Sequence, residues 1–355
     1  MTQLPADDRI VRIRQWAREK AALSQPTEPQ HCPVAPPTEA APVTIRPQTI
    51  EDMVGQLDIR RQLEVVMAGA AQRGVRPAHV LIDGPPGFGK TSLAHVIANE
   101  LGANLTVLTG PLLRRPQDLI GVLLKMPENS VVFIDEVHAS SRAVIETLYT
   151  ALEDNVIPVL VGSGQDTTPH TQVLPSWCCV AATTQPGRLT EPFRERFGVK
   201  VSMEPYTTEE LAKIVSNYWD RAGVDYLPDD AAEIAARCKG VPRTALQLSE
   251  RVLDYCAIEN DDMNVVEDGQ AGRALEAFGI DRYGLDAVDR RILGVLVHDY
   301  AGRTVGIDAL AQTVGIDRSM LEAREAPLVM MRLIQRTPRG RGALPRAFNI
   351  MKGGT

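Results

Sequence analysis

Gly84-Pro85-Pro86-Gly87-Phe88-Gly89-Lys90-Thr91 follows the apolar run Val80–Ile82 and opens a stretch in which Leu93, Ile97 and Leu101 recur every four residues. The order strand, glycine-rich loop, helix is that of a phosphate-binding loop. The glycines let successive backbone N–H groups curl around phosphate oxygens. Lys90 is spaced to reach the β- and γ-phosphates of a nucleotide, and the Thr91 hydroxyl to ligate Mg²⁺. The helix N-terminus behind the loop adds partial positive charge.

Working outward, Leu105–Leu108, Val131–Ile134 and Cys178–Ala182 are also short, continuous apolar runs and are expected as buried strands. Residues 57–73 and 91–101 carry helical patterns. Strands alternating with helices imply a parallel sheet covered on both faces, hence an α/β core. Residues 207–258 switch to helical patterns alone. Residues 285–348 are mostly helical and end in a glycine- and arginine-rich, strand-like stretch.

The run Val131–Ile134 leads into Asp135-Glu136. An acidic pair at the C-terminal end of a strand suits a Mg²⁺ shell (Asp135) and a base that polarises the attacking water (Glu136). The Cys178–Ala182 strand ends in Thr183-Thr184, whose hydroxyls could meet a γ-phosphate or the lytic water. Next comes Pro192-Phe193-Arg194-Glu195-Arg196-Phe197-Gly198. Its arginines are either salt-bridged surface groups or a finger reaching into a neighbouring subunit.

The 355 residues suffice for two or three domains, and 44% hydrophobic content with 23% charged is ordinary for a globular chain. No apolar run is long enough to cross a bilayer, so no membrane partner is expected. Five cysteines form no CxxC pair, which argues against a disulfide framework or a zinc site and for a reducing, cytoplasmic setting. The net charge is −7, so nucleic-acid binding needs a local basic patch. Such a patch exists: from Ala326 to Thr355 there is no acidic residue, against Arg332, Arg336, Arg339, Arg341, Arg346 and Lys352. Few aromatics interleave with these charges, so phosphate contact without base readout is expected. At the other end, residues 7–23 could form an amphipathic helix, and seven prolines within 24–47 predict an extended linker.

The loop, Asp135-Glu136, Thr184 and Arg196 together resemble AAA+ ATPases, and more closely the RuvB family of Holliday-junction motors. The stretches that carry this are GPPGFGKTSLAHVIANELG (84–102), FIDEVH (133–138), LYTALED (148–154), AATT (181–184), PFRERFG (192–198), PRTA (242–245) and QRTPRGR (335–341). The resemblance spans about residues 45–350. It implies an AAA+ P-loop core over 45–205, an all-helical lid over 206–278 and a winged helix over 279–355, after an N-terminal segment 1–44. ATP and Mg²⁺ are the implied cofactors.

Residue by residue, the resemblance implies an adenine pocket near Ile45, Arg46, Tyr206 and Pro242. Phosphates and Mg²⁺ would be met by Gly87, Gly89, Lys90, Thr91 and Ser92. Glu153, Asp154 and Asn155 would lie at a subunit boundary, Arg196 would be the trans finger and Arg243 the second sensor. Arg318, Arg336 and Arg341 take positions that contact DNA. The implied partners are duplex or four-way-junction DNA and further copies of the chain in a ring, expected as a hexamer.

Two stretches depart from the family pattern. Where a hairpin with exposed branched apolar residues docks RuvA, this chain reads Gly164-Gln165-Asp166-Thr167-Thr168-Pro169-His170-Thr171-Gln172-Val173, with His170 and Gln172 at the isoleucine-like positions. A polar hairpin buries little apolar area, so weakened coupling to a RuvA-like partner is expected. After the second sensor, where family members are arginine-rich, Gln247, Ser249, Glu250 and Leu253 intervene, and Glu250 replaces an expected positive charge. A motor is the leading expectation. An ATP-gated, DNA-bound scaffold or loader with another partner is the alternative, and an AAA+ protein acting on protein substrates is the third.

Overall fold

The computed structural model describes residues 46–161, 168–260 and 264–352. The helix expected over 7–23, linker residues up to 45, the hairpin residues 164–167 and Ile45 lie outside the described residues.

Helix α1 (Leu57–Arg73) ends at Gly74, whose positive φ of 63° lets its N–H return to the Ala71 and Ala70 carbonyls. Strand β1 (Val80–Asp83) leads through the phosphate loop into α2 (Lys90–Glu100). Then follow β2 (Asn104–Thr109), α3 (Pro116–Leu123), β3 (Ser130–Asp135) and α4 (Arg142–Glu153). A hairpin of β4 (Val156–Val161) and β5 (Thr168–Val173) precedes β6 (Trp177–Thr183), α5 (Glu191–Glu195) and β7 (Val199–Ser202).

The main sheet is parallel, in the order β2-β3-β6-β1-β7. Alternate residues of its central strands part company. Val80, Ile82, Val131, Phe133 and Val180 join α1 and α2 in one core, whereas Leu81, Val132, Ile134, Cys179 and Ala181 join α3 and α4 in another. That two-sided burial is why these strands read as unbroken apolar runs.

The Leu105–Leu108 run departs from the expectation of full burial. As part of β2 it lies at the sheet edge, and Val107 is 49% exposed. At the other edge, Val199-Lys200-Val201-Ser202 forms β7, a strand hidden in the sequence as the tail of the arginine segment. Its alternating burial is typical of a strand covered on one face.

Among the described residues, four helices build the lid: α6 (Thr208–Ala222), α7 (Pro228–Arg237), α8 (Pro242–Glu259) and α9 (Gln270–Ala277). Thr207 and Glu210 close a capping box at the start of α6, which fixes where the lid leaves β7. The last unit holds α10 (Ala287–Gly294), α11 (Ile307–Val314), α12 (Arg318–Met330), the hairpin β8 (Ile334–Thr337) and β9 (Gly340–Ala343), and α13 (Pro345–Met351). These helices with a β-wing make a winged helix.

Lid and wing unit are fastened directly. Gly284 has φ 75°, and a Cβ there would fall 2.2 Å from the Arg237 carbonyl oxygen, so only glycine permits the approach. The buried Arg237 donates to the Ile280 carbonyl at 3.1 Å. Asp289, also buried, is shared between Lys239 of the lid and Arg324 of α12.

Candidate nucleotide site, intersubunit arginine and DNA face

A cavity of about 510 Å³ opens where the phosphate loop meets the lid. Gly87, Gly89, Lys90, Thr91 and Ser92 line it from the loop, and Asp135 and Glu136 from the end of β3. Arg46, Tyr206, Pro242 and Arg243 complete the wall. Each of these sequence-predicted residues therefore faces one space.

The loop's shape explains its glycines. Gly87 has φ 83°, and a Cβ there would sit 2.9 Å from Val241 Cγ1 and 3.2 Å from Arg243 Cβ. The lid thus rests on the loop itself, and the Arg243 N–H donates to the Gly87 carbonyl at 3.2 Å. Lys90 Nζ donates to the Gly84 and Pro85 carbonyls at 2.8 and 2.9 Å. Burial pulls its ammonium below the ordinary lysine value, against the opposing pull of Glu136 and Asp135.

Tyr206 donates to the Phe88 carbonyl at 3.3 Å, and burial pushes its phenol up to about 12. It is therefore a neutral, flat apolar wall beside the loop. Arg46 is held by a contact of 2.8 Å to His95 Nε2.

The acidic pair is arranged with care. Glu136 takes a left-handed φ of 51°, and its N–H donates to Asp135 Oδ1 at 3.0 Å. One Glu136 oxygen, Oε2, accepts from the Thr184 hydroxyl at 2.8 Å and from the Thr184 N–H at 3.2 Å. His138 Nδ1 lies 3.1 Å from the same oxygen and 2.9 Å from the Thr183 hydroxyl. Thr184 thus serves the carboxylate, whereas the sequence expectation aimed its hydroxyl at phosphate or water.

Gly110 lies beneath this turn: a Cβ there would come 2.1 Å from the Glu136 carbonyl oxygen. Among the described residues no group of three or more His, Cys, Asp or Glu side chains could cage a metal ion. One hydroxyl (Thr91) and one carboxylate (Asp135) on the cavity wall suit Mg²⁺, which keeps waters and binds through phosphates.

Arg196 stands away from this cavity. It contacts Glu153 at 2.6 Å, donates to the Pro192 carbonyl at 2.5 Å, and lies 4.4 Å from the centre of the Tyr149 ring. The structure so joins two residues, Arg196 and Glu153, that the sequence placed only separately. Arg194 pairs with Glu191 instead. Asp154 is exposed just beyond α4.

Asn155, expected at a subunit boundary, also has a structural role within its own chain. Its amide is used inside the fold, accepting from Trp177 at 3.0 Å and Arg76 at 3.2 Å and donating to the Leu174 carbonyl at 2.9 Å. It pins the base of the β4–β5 hairpin.

On the winged helix, Arg318 pairs with Asp308 at 3.1 Å and Glu322 at 2.9 Å. Arg336 and Arg341 face each other across the β8–β9 wing. Both meet the carboxylate of Glu325. Glu325 lies one residue before the acid-free run, so a count of charges along the chain passes over it.

Three family descriptions cover this chain in order: the Holliday junction DNA helicase RuvB P-loop domain over 45–203, the RuvB AAA lid domain over 206–281 and the RuvB C-terminal winged helix domain over 282–352. The chain is 42% identical over 306 residues to the Holliday junction branch migration complex subunit RuvB of Corynebacterium aurimucosum, spanning 86% of this chain and 84% of that protein. The same identity and length hold for the subunit of Saccharopolyspora erythraea, with 86% of each covered. The chain belongs to the RuvB family. The solved Thermotoga maritima RuvB Holliday junction branch migration motor superposes with a TM-score of 0.76 at 34% identity, covering 88% of this chain and 99% of that one.

As a member of the RuvB family the chain is a P-loop ATPase of the branch-migration motor type. Sequence reasoning missed three contributors to its site. Gln56, in a left-handed turn, donates to the Glu204 carbonyl at 2.7 Å and accepts the Glu204 N–H at 3.1 Å, locking the strand that feeds the lid. His138 and Tyr149 lay inside quoted motifs, but only the fold shows what they touch. Gln247 and Glu250, noted as departures, line the nucleotide cavity, since 243, 247 and 250 share one face of α8.

Proposed function

We propose that this RuvB-family ATPase works as a ring, most simply a hexamer, that moves along duplex DNA and shifts four-way junctions. One observation carries the reading: a single cavity gathers the phosphate loop, the acidic pair and the lid's Arg243, while the same chain ends in an arginine-bearing wing. ATP hydrolysis, lid position and DNA contact are thereby parts of one molecule.

In this mechanism Lys90 exchanges its two carbonyl partners for phosphate oxygens. Thr91 and Asp135 would hold Mg²⁺, which when bound offsets charge on the β- and γ-phosphates. Glu136 polarises the attacking water, with Thr184 and His138 fixing its carboxylate. Arg243 brings the lid to the phosphates from the same chain. Arg196 supplies positive charge to a neighbouring copy's site, which ties turnover to assembly.

The DNA face binds phosphates rather than bases. Buried, unpaired Cys178, Cys179, Cys238 and Cys256 fit a reducing, cytoplasmic setting. The curated relatives are named as subunits of a branch migration complex, so a RuvA-like partner is the natural candidate. His170, Thr171 and Gln172 are exposed on β5 and polar, which favours weak docking of that partner. This feature supports the second reading, a DNA-bound ATPase scaffold with another partner.

The test is ATP hydrolysis with and without duplex and four-way-junction DNA, scored beside junction dissociation with a RuvA added. Junction movement that needs RuvA supports the motor. DNA-stimulated hydrolysis without movement supports the scaffold. Full hydrolysis by Lys90→Ala would overturn both.

A further inference from the structure

Arg336 and Arg341 are direct cross-strand partners in the wing, an arrangement in which like charges repel. Between them sits Glu325 of α12, only 1% exposed. Arg341 grips it twice, through Nε to Oε1 and through a terminal nitrogen to Oε2 at 3.2 Å. Arg336 reaches Oε2 through Nε at 3.1 Å. A buried carboxylate is costly without such partners, so the three groups are mutually dependent.

The two arginines are not equivalent. Arg341 is 16% exposed, and its backbone is held on both sides by Val305, with N–H···O distances of 2.8 and 2.9 Å. Gly340 makes that approach possible, because a Cβ there would fall 2.2 Å from the Val305 carbonyl oxygen. The Arg336 side chain is 59% exposed, and among the described residues its one ion pair is made through Nε.

We propose that Glu325 is the positioning residue of the DNA face: it takes Arg341 as an internal strut and presents Arg336 outward to a DNA phosphate. The inference rests on the DNA-binding reading above and divides the labour within it. Fixing a guanidinium by one edge leaves its other edge aimed, which lowers the ordering cost of each phosphate contact.

The experiment measures duplex-DNA affinity of the full chain against salt concentration, for the wild type and for Glu325→Gln, Arg336→Gln, Arg336→Lys and Arg341→Lys. Arg336→Gln should lower the salt slope by about one phosphate contact, roughly 0.9 in log–log units. Glu325→Gln decides the matter by its sign. Removing a negative charge beside DNA should tighten binding if Glu325 is a bystander. Loss of positioning should weaken it, by about tenfold, with ATP hydrolysis in the absence of DNA unchanged.

Arg341→Lys should behave like Glu325→Gln, because a lysine cannot grip the carboxylate twice. Arg336→Lys should lose less, since a lysine still offers an outward charge. Unchanged or tighter binding by Glu325→Gln overturns the inference while leaving the DNA reading intact. Absence of salt-dependent binding by the wild type overturns the DNA reading itself. If Glu325→Gln fails to fold, the comparison of the two lysine variants decides: equal losses overturn the division of roles.

Discussion

The Thr184 hydroxyl donates to Glu136 Oε2 at 2.8 Å, linking the end of β6 to the carboxylate that faces the nucleotide cavity. A hydrogen bond to a charged group contributes about 1.5–3 kcal/mol. Thr184→Val should therefore lower kcat by about 10–100-fold, with KM for ATP changed less than about twofold. Thr184→Ser should restore most of the rate. Steady-state hydrolysis of the three proteins checks this, and a KM effect equal to the kcat effect would point to nucleotide binding instead.

Gly110 packs against the backbone of the same glutamate. An alanine Cβ would meet the Glu136 carbonyl oxygen at 2.1 Å, so the turn must shift. Gly110→Ala should cost about 1–3 kcal/mol of stability, as overpacking does, and roughly tenfold in hydrolysis. Denaturant unfolding and ATPase assays report the two losses separately.

Arg196 lies outside the nucleotide cavity of its own chain, held by Glu153 and the Tyr149 ring. Arg196→Ala and Lys90→Ala should each be inactive, yet an equimolar mixture should recover activity. Random assembly brings an intact loop against an intact arginine at about a quarter of the boundaries. A mixture as inactive as its components would show that the arginine acts within its own subunit.

His79 gives stability a pH dependence. Burial, helped by the charge of Arg76, lowers its pKa from 6.5 to about 4. Its Nδ1 accepts the Cys179 N–H at 2.9 Å, which suits the neutral ring. The unfolded chain gains a proton that the folded chain refuses. Stability from this residue is thus complete above about pH 6.5 and is lost as pH falls toward 4, amounting to about 3 kcal/mol. Denaturant unfolding at pH 7 and pH 4.5 should show a smaller drop in His79→Gln than in the wild type.

The β5 arm presents His170 and Gln172 to solvent. Replacing both with isoleucine should raise affinity for a RuvA by tenfold or more, since each buried apolar side chain contributes about 1.5–3 kcal/mol. Fluorescence anisotropy with labelled RuvA tests it, and unchanged affinity would place the docking surface elsewhere.

What could be read beforehand follows from burial. β1, β3 and β6 were legible because strands covered on both faces are continuously apolar. β2 shares that run of letters, but sheet order decides exposure and the letters do not carry it. β7 was hidden because four residues of alternating pattern are too short to stand out beside an arginine cluster. The loop glycines and Asp135-Glu136 announced themselves by spacing. Thr184 did not show its partner, because a hydroxyl at a strand end looks the same whether it meets phosphate or carboxylate. The internal bonds of Asn155 and the role of Glu325 were not legible for a similar cause: they arise from residues distant along the chain.

The fastening of Gly284 against Arg237, with Asp289 shared by Lys239 and Arg324, has a mechanical meaning. Arg243 ties the lid to the phosphate loop at its other end through the Gly87 carbonyl. The lid is then the arm of a crank, with the nucleotide at its axle and the wing at its handle. A rotation of a few degrees beside the phosphates would be carried outward along that arm, and the distance travelled would grow with its length. Slack at the lid–wing joint would waste the stroke, so a looser contact at Gly284 would uncouple fuel use from movement while leaving both ends intact.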